Sequence, residues 1–463
     1  MRTWIKASLL IVLALGLSWG GAIWFWRATN RLPSTPDLVL YLVALPLGLL
    51  LALWLGRKLM AMLAAAPAAA PAAGLDNDAA PPQPAPPAAS LALLAAALRT
   101  PHGTSADDLT AAILDNQARP ELDQELVDDY GFPVMAARSA DADDPALQEE
   151  ITEWFGLNDV DDIALQREQW RALTMATGVV SELAGAAASE LIPAEGVSPM
   201  LHLLPLLPPE WTGEERRAAG LWLRHVVSQA GWPLARIALA AQLPTDARAT
   251  SPSAVLGRLA HQATLSGEPL VGLVVAAASN LSETCLTRWE DNATLFKASR
   301  PQGLIPGEGA AGLLLTDLPQ IRAISGATYA ILGLEADARR AHSADETKKA
   351  EAVLLGVMTE KVFASGAAPA DTVGMLVADT GHRTSRVLEL MELLSATLPH
   401  LDVDTELLRT GSACGSCGAV PFMTALALAR HQAIALAAPV LCISNEDPYR
   451  RSAVLVQPAA ALS

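Results

Sequence analysis

The sequence predicts an α/β body that follows an N-terminal membrane hairpin. Three observations lead to this prediction. Two uncharged runs of spanning length open the chain, a spacer rich in proline and alanine follows, and beyond Leu91 apolar runs of strand length alternate with helical patterns. Such apolar runs are typical of strands covered on both faces, which indicates a largely buried sheet. We therefore expect a hairpin at 1–60, a linker at 61–90 and a body at 91–463.

The hairpin is predicted from the distribution of charge. No residue is charged between Lys6 and Arg27, and a second uncharged run ends at Arg57. Each run has about the 20 residues that a helix needs to cross a bilayer, so we expect spans at about 7–26 and 38–56. A cleaved signal peptide is the alternative for the first run, but Trp-Phe-Trp stands where a cleavage site needs small residues.

Charge and cysteine content also predict the location of the body. Lys and Arg are slightly more frequent outside the loop of the hairpin than within it, which favours a cytoplasmic body at the bacterial inner membrane. The cysteines suit a reducing compartment because they are too few for a disulfide framework. They are Cys285, Cys414, Cys417 and Cys442. The formal net charge of -17 argues against nucleic acid as a partner.

The elements of the body are expected in the following order. Residues 91–100 predict a short buried strand, and Ser105 begins a helix with two aspartates in its first turn. Further strands are expected at 272–279, 311–316, 329–336, 372–380, 439–446 and 453–458. Helices are expected at 344–365 and 385–397. The region 143–240 predicts helices and is rich in tryptophan.

Three tryptophans of this Trp-rich region have two interpretations. Trp222 lies on the apolar face of an amphipathic helix, and Trp211 and Trp232 flank that helix. These side chains are either core residues or rigid aromatic anchors that dock a partner. We expect at least one of them, Trp222, to belong to the core.

The stretch TGSACGSCGAVPFMTALALA, residues 410–429, contains a C-x-x-C sequence. The spacing allows a redox site at the start of a helix. A zinc site would need two further ligands, and neither His400 nor His431 has the spacing of a ligand pair. The remaining interpretation is that Cys414 and Cys417 are packing residues.

The same stretch resembles the T-G-H-x-x-G-A-A-G-A-V turn and long helix of β-ketoacyl synthases of the thiolase superfamily. The resemblance continues in the T-P-x-G turn at Thr100 and in the loop Pro306-Gly307-Glu308-Gly309. It covers most of the body, with the Trp-rich region as a departure or insertion. It implies a thiolase-like layered fold of two similar halves, with 307–309 and 411–418 on turns at comparable places. It also implies a homodimer.

The residues that this family uses for catalysis are missing or displaced. Where the resemblance implies a nucleophilic cysteine, the chain has Ser251. The first histidine motif falls at Asp379, with His382 displaced by several positions, and Ser412 replaces the second histidine. Glu446 stands in the loop that shapes the family's oxyanion site. We therefore predict a pseudoenzyme with these five positions as a vestigial site and with no cofactor or metal.

The overall layout resembles the adapters of type VI secretion systems. The features that carry this resemblance are the membrane-spanning N-terminus, the spacer, the LLPPEW…GWP segment and the degenerate body. It implies a non-enzymatic adapter that binds a lipase-type toxic effector, loads it onto the secretion spike protein and contacts the membrane through its hairpin. The alternative is a membrane-associated, β-ketoacyl-synthase-like enzyme that binds or transfers acyl groups with atypical residues.

Overall fold

The computed structural model describes residues 91–459. Within this range it leaves out 161–162, 194–195, 240–250, 267–268, 323, 325, 334–335 and 347–350. The predicted hairpin with its spans at about 7–26 and 38–56, and the linker at 61–90, lie outside the described residues.

The predicted inner-membrane location is wrong as far as the described chain goes. Between residues 91 and 459, apart from the gaps, no helix is both long and apolar enough to cross a bilayer. The long apolar run at Leu270–Ser279 is a strand whose two edges pair with neighbouring strands. Its hydrophobicity is therefore explained by burial within a sheet.

Thirteen strands are described, numbered here in chain order. They are β1 (Leu91–Arg99), β2 (Glu121–Val127), β3 (Pro133–Ala136), β4 (Met200–Leu206), β5 (Ile237–Leu239), β6 (Leu270–Ser279), β7 (Glu308–Asp317), β8 (Ala330–Leu332), β9 (Ala336–Arg339), β10 (Met375–Ala378), β11 (Leu407–Arg409), β12 (Val440–Ser444) and β13 (Arg450–Pro458).

Eleven α-helices are described alongside them. They are α1 (Ala106–Leu114), α2 (Pro145–Leu157), α3 (Arg167–Leu191), α4 (Gly213–Gln229), α5 (Pro252–Ser266), α6 (Glu283–Asp291), α7 (Leu318–Arg322), α8 (Val353–Gly366), α9 (Thr384–Thr397), α10 (Thr410–Cys414) and α11 (Val420–Leu436). Ser105 caps α1 as expected, because its side chain accepts a hydrogen bond from the Asp108 N–H.

The main sheet has eleven strands and contains the same strand order twice. The order is β11-β10-β12-β13-β8-β1-β7-β6-β4-β5, and β9 pairs with β13. From either edge, three parallel strands are followed by two that each run antiparallel to the strand before. β1 and β8 join the two halves as an antiparallel pair. The prediction of an α/β fold with two similar halves is confirmed.

Helices and sheet alternate in five layers. A central core contains α5 and α11 together with one face of the strands of both halves. The opposite face of the N-terminal half is covered by α3 and α4, and that of the C-terminal half by α8 and α9. Strand β12 shows the alternation, since Val440 and Cys442 point to the central core and Leu441 and Ile443 to the outer one. Helix α11 is buried on most sides, which explains its almost uniformly apolar sequence.

Two strands interrupt the region 143–240, which the sequence predicts as helical. β4 pairs in parallel with β6, and β5 pairs with β4 over Leu201–Leu203. Pro205 lies beyond the residues that pair with β5, so its missing N–H costs no bond on that side. The Trp-rich region therefore supplies two strands of the N-terminal half and is not an insertion.

Two other predicted elements are shorter than expected. The helix predicted at 344–365 begins only at Val353. At its predicted start, Ser343 accepts a hydrogen bond from the Asp345 N–H in a turn. The strand predicted at 329–336 is divided into β8 and β9, which pair with different parts of β13.

All three candidate docking tryptophans lie in the core under α3 and α4. Trp222 and Trp232 are 1% exposed and Trp211 is 5% exposed. The Trp222 Nε1–H donates to Thr177 Oγ1 at 2.9 Å, and the Trp232 Nε1–H donates to the Arg236 carbonyl at 3.2 Å. The core interpretation of Trp222 is confirmed. The docking interpretation is corrected for all three, because none of the rings is available to a partner.

The two glycine segments of the family resemblance lie against each other. A Cβ on Gly307 would come within 2.0 Å of the Cys414 carbonyl oxygen, and Pro306 and Ser416 form an isolated β-bridge. The expectation of comparable places is wrong, because 307–309 forms the start of the fifth strand of one half and 411–418 precedes the helix before the fourth strand of the other. The glycines permit a close backbone contact between the halves.

We expect Gly307→Ala to destabilise the protein by about 3 kcal/mol or more, because the methyl group would displace backbone of the facing half. Gly185→Ala is the matched control, since Gly185 lies in α3 with open space around its Cβ position. That change should be neutral or stabilise by up to about 1 kcal/mol. Urea unfolding measures both, and equal stability of the two variants would contradict the close approach.

Trp222→Ala should cost about 3–5 kcal/mol, since it removes a buried ring and leaves Thr177 without its donor. Leu157→Ala on α2 is the control and should change stability by less than about 0.5 kcal/mol, because Leu157 is 77% exposed. Thermal unfolding separates the two. A Trp222→Ala variant as stable as the control would contradict the core position of Trp222.

Candidate functional site

The candidate site lies at the carboxyl ends of two neighbouring parallel strands. β10 and β12 pair in register up to Ala378 and Ile443, so Asp379 and Ser444 follow side by side. From Ser444 the chain turns and returns as β13. Parallel strands commonly place functional side chains at this edge, which makes it the natural place to examine the predicted vestigial site.

Asp379 holds the turn after β12. Its carboxylate accepts hydrogen bonds from the Ser444 hydroxyl and from the N–H groups of Asn445, at 2.8 Å, and Glu446, at 3.1 Å. Burial, assisted by the nearby Glu446 carboxylate, raises the pKa of Asp379 to about 6, although the Ser444 and backbone donors act to lower it. The position that the family resemblance assigns to a histidine therefore holds a carboxyl group that organises backbone.

Glu446 fastens the same turn to the residues after β10. Its carboxylate accepts from the Gly381 N–H at 2.8 Å and from Arg383 Nε at 2.8 Å. The Arg383 guanidinium also donates to the Glu446 carbonyl at 2.6 Å and to Asp345 at 3.1 Å. Arg383 is itself buried, and its charge-assisted bonds to Glu446 fix the geometry of the turn.

A third link joins the two loops below Glu446. The Thr380 hydroxyl donates to Asn445 Oδ1 at 2.6 Å, and Asn445 Nδ2 donates to the Arg386 carbonyl at 3.1 Å. Thr380 and Asn445 are fully buried. A Cβ on Gly411 would lie 2.0 Å from the Asp379 carbonyl oxygen, so α10 packs directly on this junction. The loop that shapes an oxyanion site in the resemblance is thus a closed polar network here.

A buried ion pair joins the start of β13 to α9 next to this network. The Arg451 Nε–H donates to the Glu389 carboxylate at 2.9 and 3.0 Å, and both side chains are fully buried. Arg340 adds a contact to Glu389 at 3.0 Å. Sequence analysis missed this pair, although a double arginine opening an apolar strand is a usable signal.

Ser251 acts as the cap of α5. Its hydroxyl oxygen accepts from the Ala254 N–H at 3.2 Å and from Arg450 Nη1 at 3.2 Å. The Ser253 hydroxyl lies 2.9 Å away and continues to Ser452 at 3.1 Å. In the described part of the chain, no imidazole or carboxylate is bonded to Ser251. The bonds that Ser251 makes in this arrangement are those of a helix cap.

His382 and Ser412 lie apart from this serine cluster. The His382 ring packs edge-to-face on Phe296 at 5.2 Å, and burial lowers the pKa of His382, with Glu446 opposing the shift. Ser412 is half-buried on α10. Among the hydrogen bonds of the described residues, none joins either side chain to Ser251. No hydrogen bond between described residues therefore links these predicted positions as a nucleophile and its base.

The two cysteines of the C-x-x-C stretch are fully buried in the central core. Burial raises the pKa of Cys414 to about 12 and that of Cys417 well above its usual value. The Cys417 thiol donates to the Cys414 carbonyl at 3.4 Å. A thiol that resists ionisation is a poor nucleophile and a poor metal ligand. Within the described ranges, no group of three or more His, Cys, Asp or Glu side chains could hold a metal ion.

Glu308 of the glycine-glutamate loop has a buried partner that sequence analysis missed. Arg171 of α3 donates to both oxygens of its carboxylate, at 2.9 and 2.6 Å. Ser279 and the Ser139 N–H donate to it at 2.8 and 2.7 Å. The carboxylate is thus saturated by α3, β6 and a loop, and removal of Arg171 alone would leave an uncompensated buried charge in the N-terminal half.

Comparison with known proteins shows the fold. No family model and no curated protein matches the chain. Among solved structures, it is similar to AntDE:AntF, a type II polyketide-synthase acyl carrier protein in complex with its ketosynthase. The TM-score is 0.55 at 10% identity, over 79% of this chain and 98% of that one.

Two further structures agree. The ketosynthase from module 6 of the bacillaene synthase of Bacillus subtilis 168 gives a TM-score of 0.54 at 12% identity, over 80% of this chain and 72% of that one. A β-ketoacyl synthase from Burkholderia phymatum STM815 gives 0.50 at 12% identity, over 80% and 99%. The chain therefore has the thiolase-like fold of ketosynthases, as predicted. The comparisons give the type VI secretion resemblance no support.

Asp379→Asn tests the buried carboxyl group through its pH dependence. The folded protein raises the pKa of Asp379 from 3.8 to about 6, so the native state keeps this proton after the unfolded state has lost it. Stability of the wild type should fall as pH rises through this window, and the variant lacks that loss. The free energy of unfolding of the variant, relative to that of the wild type, should therefore increase by about 1–3 kcal/mol from the acidic to the neutral end of this window.

Urea unfolding at acidic and neutral pH measures this difference. Asp402→Asn is the control, because Asp402 is exposed. A stability difference between Asp379→Asn and wild type that stays constant with pH would show that Asp379 ionises freely.

Proposed function

We propose that this protein is a catalytically inactive, ketosynthase-like binding protein that serves as an adapter for another protein. The observation that carries the proposal is the closed turn Ser444–Glu446, held on Asp379 and Arg383. An acyl condensation needs an activated nucleophile and donors aimed at a developing oxyanion. Here those places are taken by bonds within the protein.

The nucleophile position supports the same proposal. The sequence has no cysteine between Leu239 and Leu270, and the Ser251 hydroxyl caps α5 and accepts from Arg450. Fold does not determine function, because chemistry depends on a site grafted on the fold. We therefore infer that the protein acts through its surface and not through this site.

The finer role follows from the layout of the sequence. We assign it as a type VI secretion adapter that binds a lipase-type toxic effector and presents it to the spike protein. The net charge of -17 favours a basic surface on the partner, since complementary charge steers association. The alternative is acyl binding or transfer through Ser251, which lies at the start of α5 where the resemblance places the nucleophile.

Intact-protein mass spectrometry after incubation with acyl-CoA and with acyl-pantetheine tests the absence of catalysis. We expect the full-length wild type to acquire no acyl adduct, like Ser251→Ala. An adduct on wild type that is lost in Ser251→Ala would establish the acyl-transfer alternative and reject the proposal.

Co-purification of the tagged full-length chain from its native host tests the finer role. Mass spectrometry should identify a lipase-type effector and a secretion spike protein in reciprocal purifications. Recovery of an acyl carrier protein in their place would contradict the adapter role.

A further inference from the structure

The small hairpin formed by β2 and β3 carries an apolar outward face. Its exposed members include Tyr130 (80%), Phe132 (66%), Leu122 (64%) and Val127 (47%). Cross-strand pairing sets Leu122 opposite Met135 and Val127 opposite Pro133. We call these six residues the hairpin face. So many large apolar side chains close together on a surface are typical of an interaction site.

The opposite side of the hairpin is anchored to the body. Leu126, Val134 and Ala136 pack in a small core with α6, including Leu286 and Trp289. Exposure of the hairpin face is therefore not a consequence of a poorly packed segment. The hairpin holds one set of apolar side chains inside and presents another outside.

The tip of the hairpin is preorganised. Asp128 Oδ1 accepts from the N–H groups of Tyr130, at 3.0 Å, and Phe132, at 2.9 Å. Lys297 lies 3.6 Å from the Asp128 carboxylate and 5.6 Å from the centroid of the Tyr130 ring. Aromatic side chains on a fixed backbone lose little entropy when they bind, which is the property of interface anchors.

The hairpin is closed to binding by strand addition. Asp123 Oδ1 accepts from the N–H groups of Glu125 and Leu126, both at 2.9 Å, and Arg138 holds that carboxylate at 2.7 Å. These amides are already bonded, so a partner strand has no continuous row of donors to pair with. Recognition must use the side chains of the hairpin face.

The hairpin itself is acidic, and cations from neighbouring segments pair with part of that charge. Residues 121–136 contain five acidic side chains and no lysine or arginine. Asp123, Glu125 and Asp128 have cationic partners in Arg138, Arg167 and Lys297, while Glu121 and Asp129 are exposed at the two ends of the hairpin. Complementary charge therefore selects a basic partner with apolar side chains between its cations.

We propose that the hairpin face docks a basic, apolar segment of the partner protein. This inference rests on the proposed adapter function, because it names the surface through which that function would act. Tyr130 and Phe132 enter the partner as anchors, Leu122 and Val127 extend the apolar contact, and the surrounding acids pair with the partner's lysines or arginines.

Fluorescence anisotropy with a short labelled peptide of alternating lysine and leucine tests the proposal on the full-length protein. The wild type should bind this peptide, bind a glutamate–leucine peptide far more weakly, and lose affinity as salt rises. The double variant Tyr130→Ser, Phe132→Ser should bind the lysine–leucine peptide at least about tenfold more weakly with an unchanged melting temperature. Leu157→Ser, which alters an equally exposed apolar residue on α2, should bind like wild type.

Asp128 provides a second, independent test. Asp128→Ala should weaken binding because the tip loses two backbone bonds, and Asp128→Asn should retain more of it because an oxygen acceptor remains. Unchanged affinity in the double variant, or equal binding of both peptides by wild type, would overturn the proposal. Self-association of the wild type in sedimentation that disappears in the double variant would also overturn it, because the occupant would then be a second copy. Binding of the wild type to phosphatidylcholine–phosphatidylglycerol vesicles that disappears in the double variant would do the same, because the occupant would then be a lipid surface. If the peptide does not bind as expected and no acyl adduct forms on the wild type, only the proposal for the hairpin face is rejected. If an acyl adduct forms on Ser251, the proposed function itself is rejected.

Discussion

The geometry of the candidate site depends on the buried carboxyl group of Asp379. A buried acid is tolerated only when donors surround it, and here those donors are the side chain and backbone of the turn after β12. This turn then places Glu446 against the Gly381 N–H and Arg383. One acid at the end of β10 therefore determines the course of the loop that crosses the site.

The close contacts of the fold do not depend on this interaction. The two halves keep their strand order and their close backbone contacts at Gly307 and Gly411, because those depend on glycines and on apolar layers. The segments that would act on a substrate have different requirements. They now carry charged side chains whose partners are inside the protein, including the saturated pair of Glu308 and Arg171. The candidate site is thus tied to the body by contacts within the protein.

Much of the fold could be predicted because buried strands leave a clear apolar run. β1, β6 and β7 are covered on both faces and were visible in the sequence, whereas the three-residue β5 and the proline-containing β4 were not. Ion pairs were missed because periodicity reveals no distant partner: Arg171 and Glu308 are 137 residues apart. The tryptophans misled because Trp211 and Trp232 flank a helix in the sequence, while tertiary packing buries them. The hairpin escaped notice because an irregularity between Leu122 and Val127 breaks the alternation of exposed and buried residues that indicates a strand.

Amide hydrogen exchange in the turn after β12 tests the central claim most directly. The N–H groups of Asn445 and Glu446 donate to the buried Asp379 carboxylate, so the account predicts that they exchange only when the C-terminal half unfolds. Their protection should match that of strand β12 in wild type and fall selectively in Asp379→Ala. Rapid exchange of these two amides in the native protein, with β12 still protected, would mean that the loop opens freely and would contradict the account of a closed site.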